Sequence, residues 1–384
     1  MSIFSKKQSS FLGVDIGAHG IKLTELKQSK GRPQLWTYGY THEETHIHDN
    51  AVSVKTTDDL LVESGAMKRE SKQDDQLEKN TFYDTYDVQA KKFGGWLKQL
   101  VEQSNVTTKM ATASLPVSYV FHTLLTLPQT ETKELDHLVQ AEIKKFLPRP
   151  IEEMQITHQV IPQSEMEKKK KYIRVLVTAA PKFLISFYSK IFQYAGLQLI
   201  ELETEAFALA RAFVGKDLST VMIVDIGAER TNFFIVDEGL PMTHRSLQIG
   251  GNNFGQTIDD VLGVEKSISE QIKNDLVNFE ANQININIFS EPLEAMIKEI
   301  QYNFDVFLHQ LGNEGKKPEK IILTGGSCVI PAIKERLEKE FPLKVFIGDP
   351  WSRVVYQQKL KQRLDAIGPK MAVTIGLAMR GIVR

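Results

Sequence analysis

The pentapeptide Val-Asp-Ile-Gly-Ala occurs at Val14–Ala18, inside Phe-Leu-Gly-Val-Asp-Ile-Gly-Ala-His-Gly-Ile-Lys-Leu, and again at Val224–Ala228. In each copy an apolar run precedes Asp-x-Gly, and a second apolar run follows a few small or polar residues. This pattern predicts a β-hairpin with an aspartate and a glycine in its turn. Glycine lets the main chain approach a phosphate, and a carboxylate can hold Mg²⁺ or its waters. Two such hairpins predict two similar lobes that clamp one nucleotide; the alternative is a chance similarity between two buried hairpins.

The composition is that of an ordinary globular protein. The chain has 384 residues, of which 42% are hydrophobic and 25% charged, and this length predicts at least two domains. Its net charge of −1 favours neither nucleic acid nor an anionic membrane as a partner. The single cysteine, Cys328, excludes an internal disulfide framework and fits a reducing compartment. Because we find no membrane-spanning run and no signal peptide, we expect a cytoplasmic protein.

The first part of the chain predicts one half of an α/β fold. A turn at 31–33 leads to a third strand at Gln34–Tyr40, and a helix at Ala90–Gln103 and a strand at Lys109–Pro116 follow later. Residues 41–90 are polar and contain His42, His46 and His48. These histidines suit either a metal site or a solvated loop. The interpretation we favour is a mobile surface insertion.

Residues 118–197 predict a small inserted α+β subdomain. Its order is strand, helix, strand, strand, helix, at Tyr119–Leu127, Glu131–Phe146, Met154–Ile161, Tyr172–Ala180 and Pro181–Ala195. Lys168–Lys171 lies between two of these strands and is read as a solvated hairpin tip, with a membrane-surface role as the alternative.

The rest of the chain predicts the return to lobe one and then lobe two. We assign 1–117 and 198–218 to lobe one, 219–262 and 318–384 to lobe two, and 263–317 to a helical subdomain. The predicted elements are a strand at Leu197–Leu202, helices at Thr204–Phe213, Phe254–Leu262, Glu265–Leu276 and Pro292–Leu311, a strand at Ile321–Thr324, a helix at Pro331–Phe341, a strand at Leu343–Ile347 and a small-residue helix at Lys370–Gly381.

A third signal is the strand-Thr-Gly-Gly-Ser-helix sequence at 321–341. Two glycines at the end of a strand let a base or ribose lie against the main chain near a helix N-terminus. After two Asp-x-Gly hairpins, this order resembles the nucleotide signature of the actin/hexokinase/Hsp70 superfamily over nearly the whole chain. The resemblance implies a two-lobed actin-like ATPase fold.

Within that superfamily, the sequence resembles the FtsA/PilM branch, and within this branch it resembles the PilM family of type IV pilus assembly proteins. The position of the inserted subdomain resembles that branch. The stretches that resemble PilM are 142–153, 177–181, 195–197 with 203–209, 249–252, and Gly-Pro-Lys-Met-Ala-Val-Thr-Ile-Gly-Leu-Ala-Met-Arg-Gly at 368–381.

The resemblance implies roles for particular residues. Asp15 and Gly17, with Lys22, would lie by the β- and γ-phosphates of ATP, and Asp15 and Asp225 would hold Mg²⁺. Glu203 and Glu205 lie where the superfamily places the group that orients the attacking water, although a capping role suits Glu205 equally well. The remaining implied nucleotide-binding residues are Asp225, Gly227, Thr231, Asn232, Gly250, Gly251, Lys273, Gly325, Gly326 and Ser327.

One stretch departs from the family pattern. Ala18-His19-Gly20 stands where the family usually has hydroxyl side chains facing phosphate. His19 either donates to phosphate or faces solvent. Main-chain N–H groups survive this change, so we expect ATP to bind and turnover to be slow or absent.

The resemblance implies a cytoplasmic, ATP-binding component of the inner-membrane pilus platform. Such proteins bind the N-terminal segment of a PilN-like membrane protein in a groove by the inserted subdomain, and nucleotide-dependent lobe closure would alter that binding. A pilus motor ATPase and a second copy of the chain are further partners that the resemblance admits. The membrane would be reached only through the partner.

Two other functions remain open at this stage. A small-molecule kinase of the same superfamily would need a further catalytic aspartate in the cleft, and we find none in a suitable context. An FtsA-like division filament would usually end in a basic amphipathic helix behind a linker, whereas this sequence reaches Arg384 directly after the small-residue helix.

Overall fold

A computed structural model describes residues 10–42, 45, 74–130, 132–162, 171–276, 286–313 and 315–383. Most of the insertion predicted at 41–90, with His46 and His48, lies outside these described residues, as do Lys168–Lys170. The last part of that insertion, residues 74–90, is helical and continuous with the helix predicted at Ala90–Gln103, so the predicted surface insertion is wrong there. Among the described residues, no helix combines the length and the apolar character needed to cross a bilayer.

Strands dominate the first half of the chain. In order, its elements are β1 (Ser10–Gly17), β2 (Gly20–Ser29), β3 (Arg32–Tyr40), α1 (Asp74–Gln103), β4 (Met110–Leu115), β5 (Phe121–Pro128), α2 (Thr132–Ile143), β6 (Met154–Val160), β7 (Tyr172–Pro181), α3 (Lys182–Tyr194), β8 (Gln198–Thr204) and α4 (Glu205–Leu209).

The second half begins with a π-helical turn at Ala210–Val214 that continues α4. Its further elements are β9 (Val221–Ile226), β10 (Thr231–Asp237), β11 (Leu240–Leu247), α5 (Gly251–Leu262), α6 (Lys266–Asp275), α7 (Ser290–Leu308), β12 (Lys320–Thr324), α8 (Pro331–Glu340), β13 (Lys344–Ile347) and α9 (Lys361–Met379).

Two five-stranded sheets repeat one topology. The first has the order β3-β2-β1-β4-β8 and the second β11-β10-β9-β12-β13. In the first sheet, β1 carries the motif aspartate and pairs antiparallel with β2 and parallel with β4. In the second sheet, β9 carries the motif aspartate and pairs antiparallel with β10 and parallel with β12. The register places Asp15 opposite Lys22 in one hairpin and Asp225 opposite Asn232 in the other. A third sheet, β5-β7-β6, lies in the inserted segment.

Each sheet has its own apolar core. The second sheet packs against α5, α7 and α8, and the third packs against α2. Helix α3, which the sequence analysis assigned to the inserted segment, packs with α1 in the core of the first sheet through residues such as Phe187 and Ile191. This burial of aliphatic and aromatic side chains is the main favourable contribution to folding.

Helix α9 contacts both five-stranded sheets. Its backbone approaches β1 so closely that a Cβ at Gly13 would lie 2.1 Å from the Thr374 carbonyl oxygen. Thr24 of β2 and Thr374 also share a buried hydroxyl–hydroxyl hydrogen bond of 2.7 Å. On the second sheet, the Thr324 hydroxyl donates to the Pro369 carbonyl oxygen at 3.0 Å. The helix therefore fixes the strands that carry both motifs relative to one another.

The start of α9 differs from the prediction. The sequence predicted this helix at Lys370–Gly381. A proline inside a helix normally kinks or breaks it. The observed helix begins at Lys361 and continues through Pro369. Gly325 N–H donates to the Pro369 carbonyl at 3.1 Å, so contacts with β12 and its loop hold this irregular turn. The fully buried ring of Trp351 packs beside Gly368.

Candidate functional site

The turns of the two motif hairpins open onto one cavity of about 340 Å³. The structure brings most of the predicted site residues together there. Those that line the cavity are Asp15, Gly17, Lys22, Glu205, Asp225, Gly227, Asn232, Lys273, Gly325, Gly326 and Ser327.

In the first hairpin, Asp15 has a positively charged neighbour. Lys22, opposite Asp15 in the register, donates from Nζ to Asp15 Oδ2 at 2.9 Å. The Ser114 hydroxyl, on the adjacent strand β4, donates to Oδ1 at 2.7 Å. The Thr45 hydroxyl braces the turn by donating to the Gly17 carbonyl oxygen at 2.7 Å. The Asp15 carboxylate is thus almost buried, and the lysine and the serine hydroxyl offset the loss of its hydration.

In the second hairpin, the residue opposite the aspartate is neutral. Asn232 takes the position of Lys22, and its side-chain amide donates to Asp225. Gly325, at the end of β12, crosses directly over this strand with φ +88. A Cβ there would lie 2.6 Å from Asp225 Oδ1 and 2.4 Å from the Ile226 carbonyl oxygen, so only glycine fits.

Three carboxyl groups, those of Asp15, Asp225 and Glu205, lie near one another in the cavity. Burial and the charge of Asp15 raise the pKa of Asp225 to about 6. Burial, with Asp15 and Asp225 nearby, raises the pKa of Glu205 well above its ordinary value. Burial lowers the pKa of Lys22, but the charge and hydrogen bond of Asp15 outweigh it and leave that pKa raised. Around Asp15, Asp225 and Glu205, three carboxyl groups lie near one lysine, Lys22, and a cation bound beside them would reduce their mutual repulsion.

The oxygen-rich donors fit Mg²⁺ bound together with phosphates. Asn232 Oδ1 is buried and accepts no hydrogen bond from any residue that the structure describes, so it is available to a ligand or its water. No cluster of three or more His, Cys, Asp or Glu side chains suited to holding a metal occurs in the described part of the chain. Mg²⁺ typically uses one or two carboxylates and completes its shell with water and phosphate oxygens. Asp15 and Asp225 could supply that share.

Three predicted residues lie behind the cavity wall. The Thr231 hydroxyl donates to the Ile249 carbonyl oxygen at 2.7 Å, which ties β10 to the segment before α5. Gly251 N–H donates to the Gly227 carbonyl oxygen at 2.9 Å. A Cβ at Gly250 would lie 2.6 Å from the Ala228 carbonyl oxygen. These three residues allow the start of α5 to pack closely against the turn of the second hairpin.

The far side of the cavity combines glycines with a lysine from α6. Lys273 donates to the Gly251 carbonyl oxygen at 3.2 Å and pairs with Glu270 at 2.5 Å. Among the described residues, no atom would lie within 4 Å of a Cβ at Gly326. Ser327 N–H donates to the Ile226 carbonyl oxygen at 3.1 Å. This flat edge suits a base and a ribose.

The two candidate glutamates point to different places. Glu205 lines the cavity, where Asn232 Nδ2 donates to its Oε2 at 3.2 Å and Val117 N–H donates at 3.4 Å. Glu203 does not line this cavity: its carboxylate pairs with Arg211 at 2.7 Å and Arg380 at 2.6 Å. The structure therefore brings only Glu205 to the motif hairpins.

A second cavity of about 530 Å³, here called the β6–β8 groove, lies between the inserted segment and the first sheet. Strand β6 contributes Gln155, Thr157 and Gln159 to its wall, and β8 contributes Ile200 and Leu202. Both strands lie at the ends of their sheets. An edge strand has main-chain groups available for an added strand.

Sequence reasoning missed several residues that line the cavity at the motif hairpins. Tyr40, Thr41, Arg230, Glu270 and Lys370 also line it. The Thr41 hydroxyl accepts from Ile21 N–H at 3.0 Å, so a hydroxyl from beyond β3 supports the first turn. For Lys370, the signal that could have found it was its place in the Gly-Pro-Lys sequence at 368–370, and for Arg230 its place shortly after the second Asp-x-Gly motif.

Comparisons with known proteins identify the fold and the family. The PilM–PilN type IV pilus biogenesis complex contains a chain that is 20% identical, with a TM-score of 0.74 over 98% of this chain and 99% of that one. The ethanolamine utilization protein EutJ from Carboxydothermus hydrogenoformans is 13% identical, with a TM-score of 0.50 over 97% and 91%. The two-lobed actin-like ATPase fold expected from the sequence is confirmed. The family described as type IV pilus assembly protein PilM matches residues 51–382, and the chain belongs to that family.

Proposed function

We propose that this PilM-family protein binds ATP with Mg²⁺ between lobe one (1–117 and 198–218) and lobe two (219–262 and 318–384). The observation that carries the proposal is the convergence of both Asp-x-Gly turns and the 325–327 loop on one cavity. Asp15 and Asp225 would hold the cation, and the turn N–H groups would receive phosphate oxygens. When bound, Mg²⁺ would neutralise charge on the phosphates and on the crowded carboxylates.

We propose the β6–β8 groove as the site for the N-terminal segment of a PilN-like membrane protein. A similar chain forms a PilM–PilN complex. Support in this chain comes from two edge strands and a mixed apolar and polar lining, a surface that an extended peptide could join by main-chain hydrogen bonds. The protein would then act at the inner membrane through its partner.

A short segment offers a physical route between the two sites. Glu203 and Thr204 line the β6–β8 groove, and the next residue, Glu205, lines the nucleotide cavity. A shift at this strand–helix junction would move groups in both sites, so we propose that nucleotide state changes peptide affinity. Slow hydrolysis of ATP fits the absence of a side-chain hydroxyl at Ala18. In that hydrolysis, Glu205 would orient the attacking water.

The proposal is tested first by calorimetric titration of the protein with ATP, with Mg²⁺ and with EDTA. We expect saturable binding that Mg²⁺ strengthens, and a loss of at least about ten-fold in affinity for Asp15→Ala and Asp225→Ala, since each removes a charged ligand. Asp217→Ala is the matched control, because Asp217 pairs with Lys320 at 2.5 Å outside the cavity. Normal ATP binding by both cavity variants would refute the site.

The peptide site is tested with a synthetic N-terminal peptide of the cognate PilN-like protein. Ile200→Glu places a charge at an exposed position of the groove, on the edge strand β8. Ile347→Glu is the matched control on β13, an edge strand of the other sheet with a similarly exposed isoleucine. We expect only the first variant to lose binding; equal loss in both would argue against the groove.

A further inference from the structure

Lys370 is one of two cations of the nucleotide cavity that no carboxylate pairs with in the described part of the chain. The described lining of this cavity contains the lysine and arginine side chains of Lys22, Arg230, Lys273 and Lys370. Lys22 pairs with Asp15, and Lys273 pairs with Glu270. Within the described residues, neither Lys370 nor Arg230 has an ion pair; Arg230 lies 5.6 Å from the Tyr119 ring centroid and Lys370 only 3.6 Å from that of Tyr40.

The backbone around Lys370 is firmly held. The preceding carbonyl, of Pro369, accepts from the Thr324 hydroxyl at 3.0 Å and from Gly325 N–H at 3.1 Å. The lysine is thus anchored to the second sheet by its main chain, while its ammonium group lies on Tyr40 at the end of β3 in the first sheet. Its flexible stem is the part that remains free to reorient.

We propose that Lys370 is a phosphate ligand of this cavity, whose ammonium group transfers from the Tyr40 ring to the polyphosphate of a bound nucleotide. The inference rests on the proposed nucleotide function and adds a residue to it. A cation–π contact of a partly exposed lysine is weak, whereas a charge-assisted hydrogen bond to a phosphate is stronger. The exchange is therefore favourable once an anion of sufficient charge lies in the cavity.

The electrostatic surroundings agree with this geometry. Burial and the nearby charge of Lys22 lower the pKa of Lys370. Two like charges in one cavity repel each other, and a polyphosphate placed near both relieves that repulsion. A bound polyphosphate would also join lobe one to the anchored Lys370 across the cleft.

The test is a set of affinity measurements with ATP, ADP and adenosine on the full chain. Lys370→Met removes the charge and keeps the length of the side chain, and Lys370→Gln is a second variant should the first fold poorly. Lys27→Met is the matched control, since Lys27 lies 3.0 Å from the Trp36 ring centroid, also on β3, but does not line the cavity. Thermal unfolding of each variant establishes that it is folded.

We expect Lys370→Met to weaken ATP and ADP about ten- to a hundred-fold, as for the loss of one charge-assisted hydrogen bond, and to leave adenosine affinity unchanged. Wild-type affinity for ATP in both Lys370 variants would overturn this inference and leave the nucleotide function standing. An equal loss in Lys27→Met, or an equal loss for adenosine, would also overturn it. A wild-type protein that binds no ATP would refute both the inference and the nucleotide function.

Discussion

The two copies of Val-Asp-Ile-Gly-Ala fold into equivalent hairpins with unequal electrostatics. Asp15 lies opposite Lys22 and accepts hydrogen bonds from it and from Ser114. Asp225 lies opposite Asn232 and has a pKa of about 6, raised by burial and by the charge of Asp15. An identical motif therefore supplies a carboxylate paired with a lysine in one lobe and a carboxylate that faces a neutral amide in the other.

The difference extends to how each strand is covered. Two residues before Asp15, Gly13 admits the backbone of α9, whereas the matching residue before Asp225 is the buried Ile223. Both strands pack through buried side chains and each has one close backbone approach, by α9 at Gly13 and by Gly325 at Ile226; the first strand differs in having an ion pair at its aspartate. If Mg²⁺ binds as proposed, we expect it to stabilise the second hairpin more than the first, because Asp225 faces an amide and Asp15 faces a lysine.

The largest expected effect is that of Gly13→Ala. The added methyl group would lie 2.1 Å from the Thr374 carbonyl oxygen, so α9 or β1 must move. We expect a loss of about 3 kcal/mol in the free energy of unfolding, typical of an overpacked core. Denaturant unfolding measures this loss. Ile223→Val is the matched change in the other strand, and we expect it to lose about 1 kcal/mol. A loss no larger than that of Ile223→Val would contradict the close contact.

Lys22→Asn would make the first hairpin resemble the second. The nearly buried Asp15 carboxylate would lose its opposite charge, and we expect about 2 kcal/mol of destabilisation, less than for a fully buried pair because Lys22 is partly exposed. Lys320→Asn breaks the more exposed pair with Asp217 and should cost no more than about 1 kcal/mol. Equal losses in the two variants would remove the distinction drawn between the hairpins.

Asp225→Asn should stabilise the nucleotide-free protein while abolishing the effect of Mg²⁺ on ATP binding. Because the folded-state pKa of about 6 exceeds the usual 3.8, the folded protein holds this proton more tightly than the unfolded chain. Asp225 therefore reduces stability as pH rises from about 4 to 6. We expect the variant to gain up to about 3 kcal/mol well above pH 6 and nothing near pH 4. Thermal unfolding across this range measures the difference, and a gain that does not vary with pH would contradict it.

Asn232→Lys is the reciprocal change and has the smallest expected effect. A lysine opposite Asp225 would supply the charge that Lys22 supplies to Asp15, and we expect a gain of about 1 kcal/mol in the nucleotide-free protein. It should also reduce the dependence of ATP affinity on Mg²⁺. Asn252→Lys, at a residue outside the cavity lining, is the control for a mere increase in net charge.

The sequence predicted the elements that carry the site because their patterns are local. Each hairpin shows its apolar runs and its Asp-x-Gly turn within a few residues, and the register then follows from the two-residue alternation of a strand. The repeated motif also predicted the relation between the sheets. The shared topology of the two five-stranded sheets has its origin in that repeat.

The parts that sequence reasoning missed depend on residues distant in the chain. The sequence offers no way to choose between Glu203 and Glu205 as the cavity residue. Because β8 ends between them, Glu203 lines the β6–β8 groove and Glu205 lines the cavity at the motif hairpins. Lys370 meets Tyr40 only because α9 crosses the first sheet. Helix α9 passes through Pro369 because the loop after β12 binds its carbonyl oxygen. No local pattern contains that information.

The packing of α9 has a consequence for how the protein folds. The Thr24–Thr374 hydrogen bond joins residues 350 positions apart, and a Cβ at Gly376 would lie 1.9 Å from the Ala208 carbonyl oxygen. During synthesis, both motif sheets leave the ribosome before the helix that covers them. Contacts of such long sequence separation slow folding and expose apolar surface meanwhile. We therefore expect a slow final docking phase, during which a chaperone could retain the nascent protein.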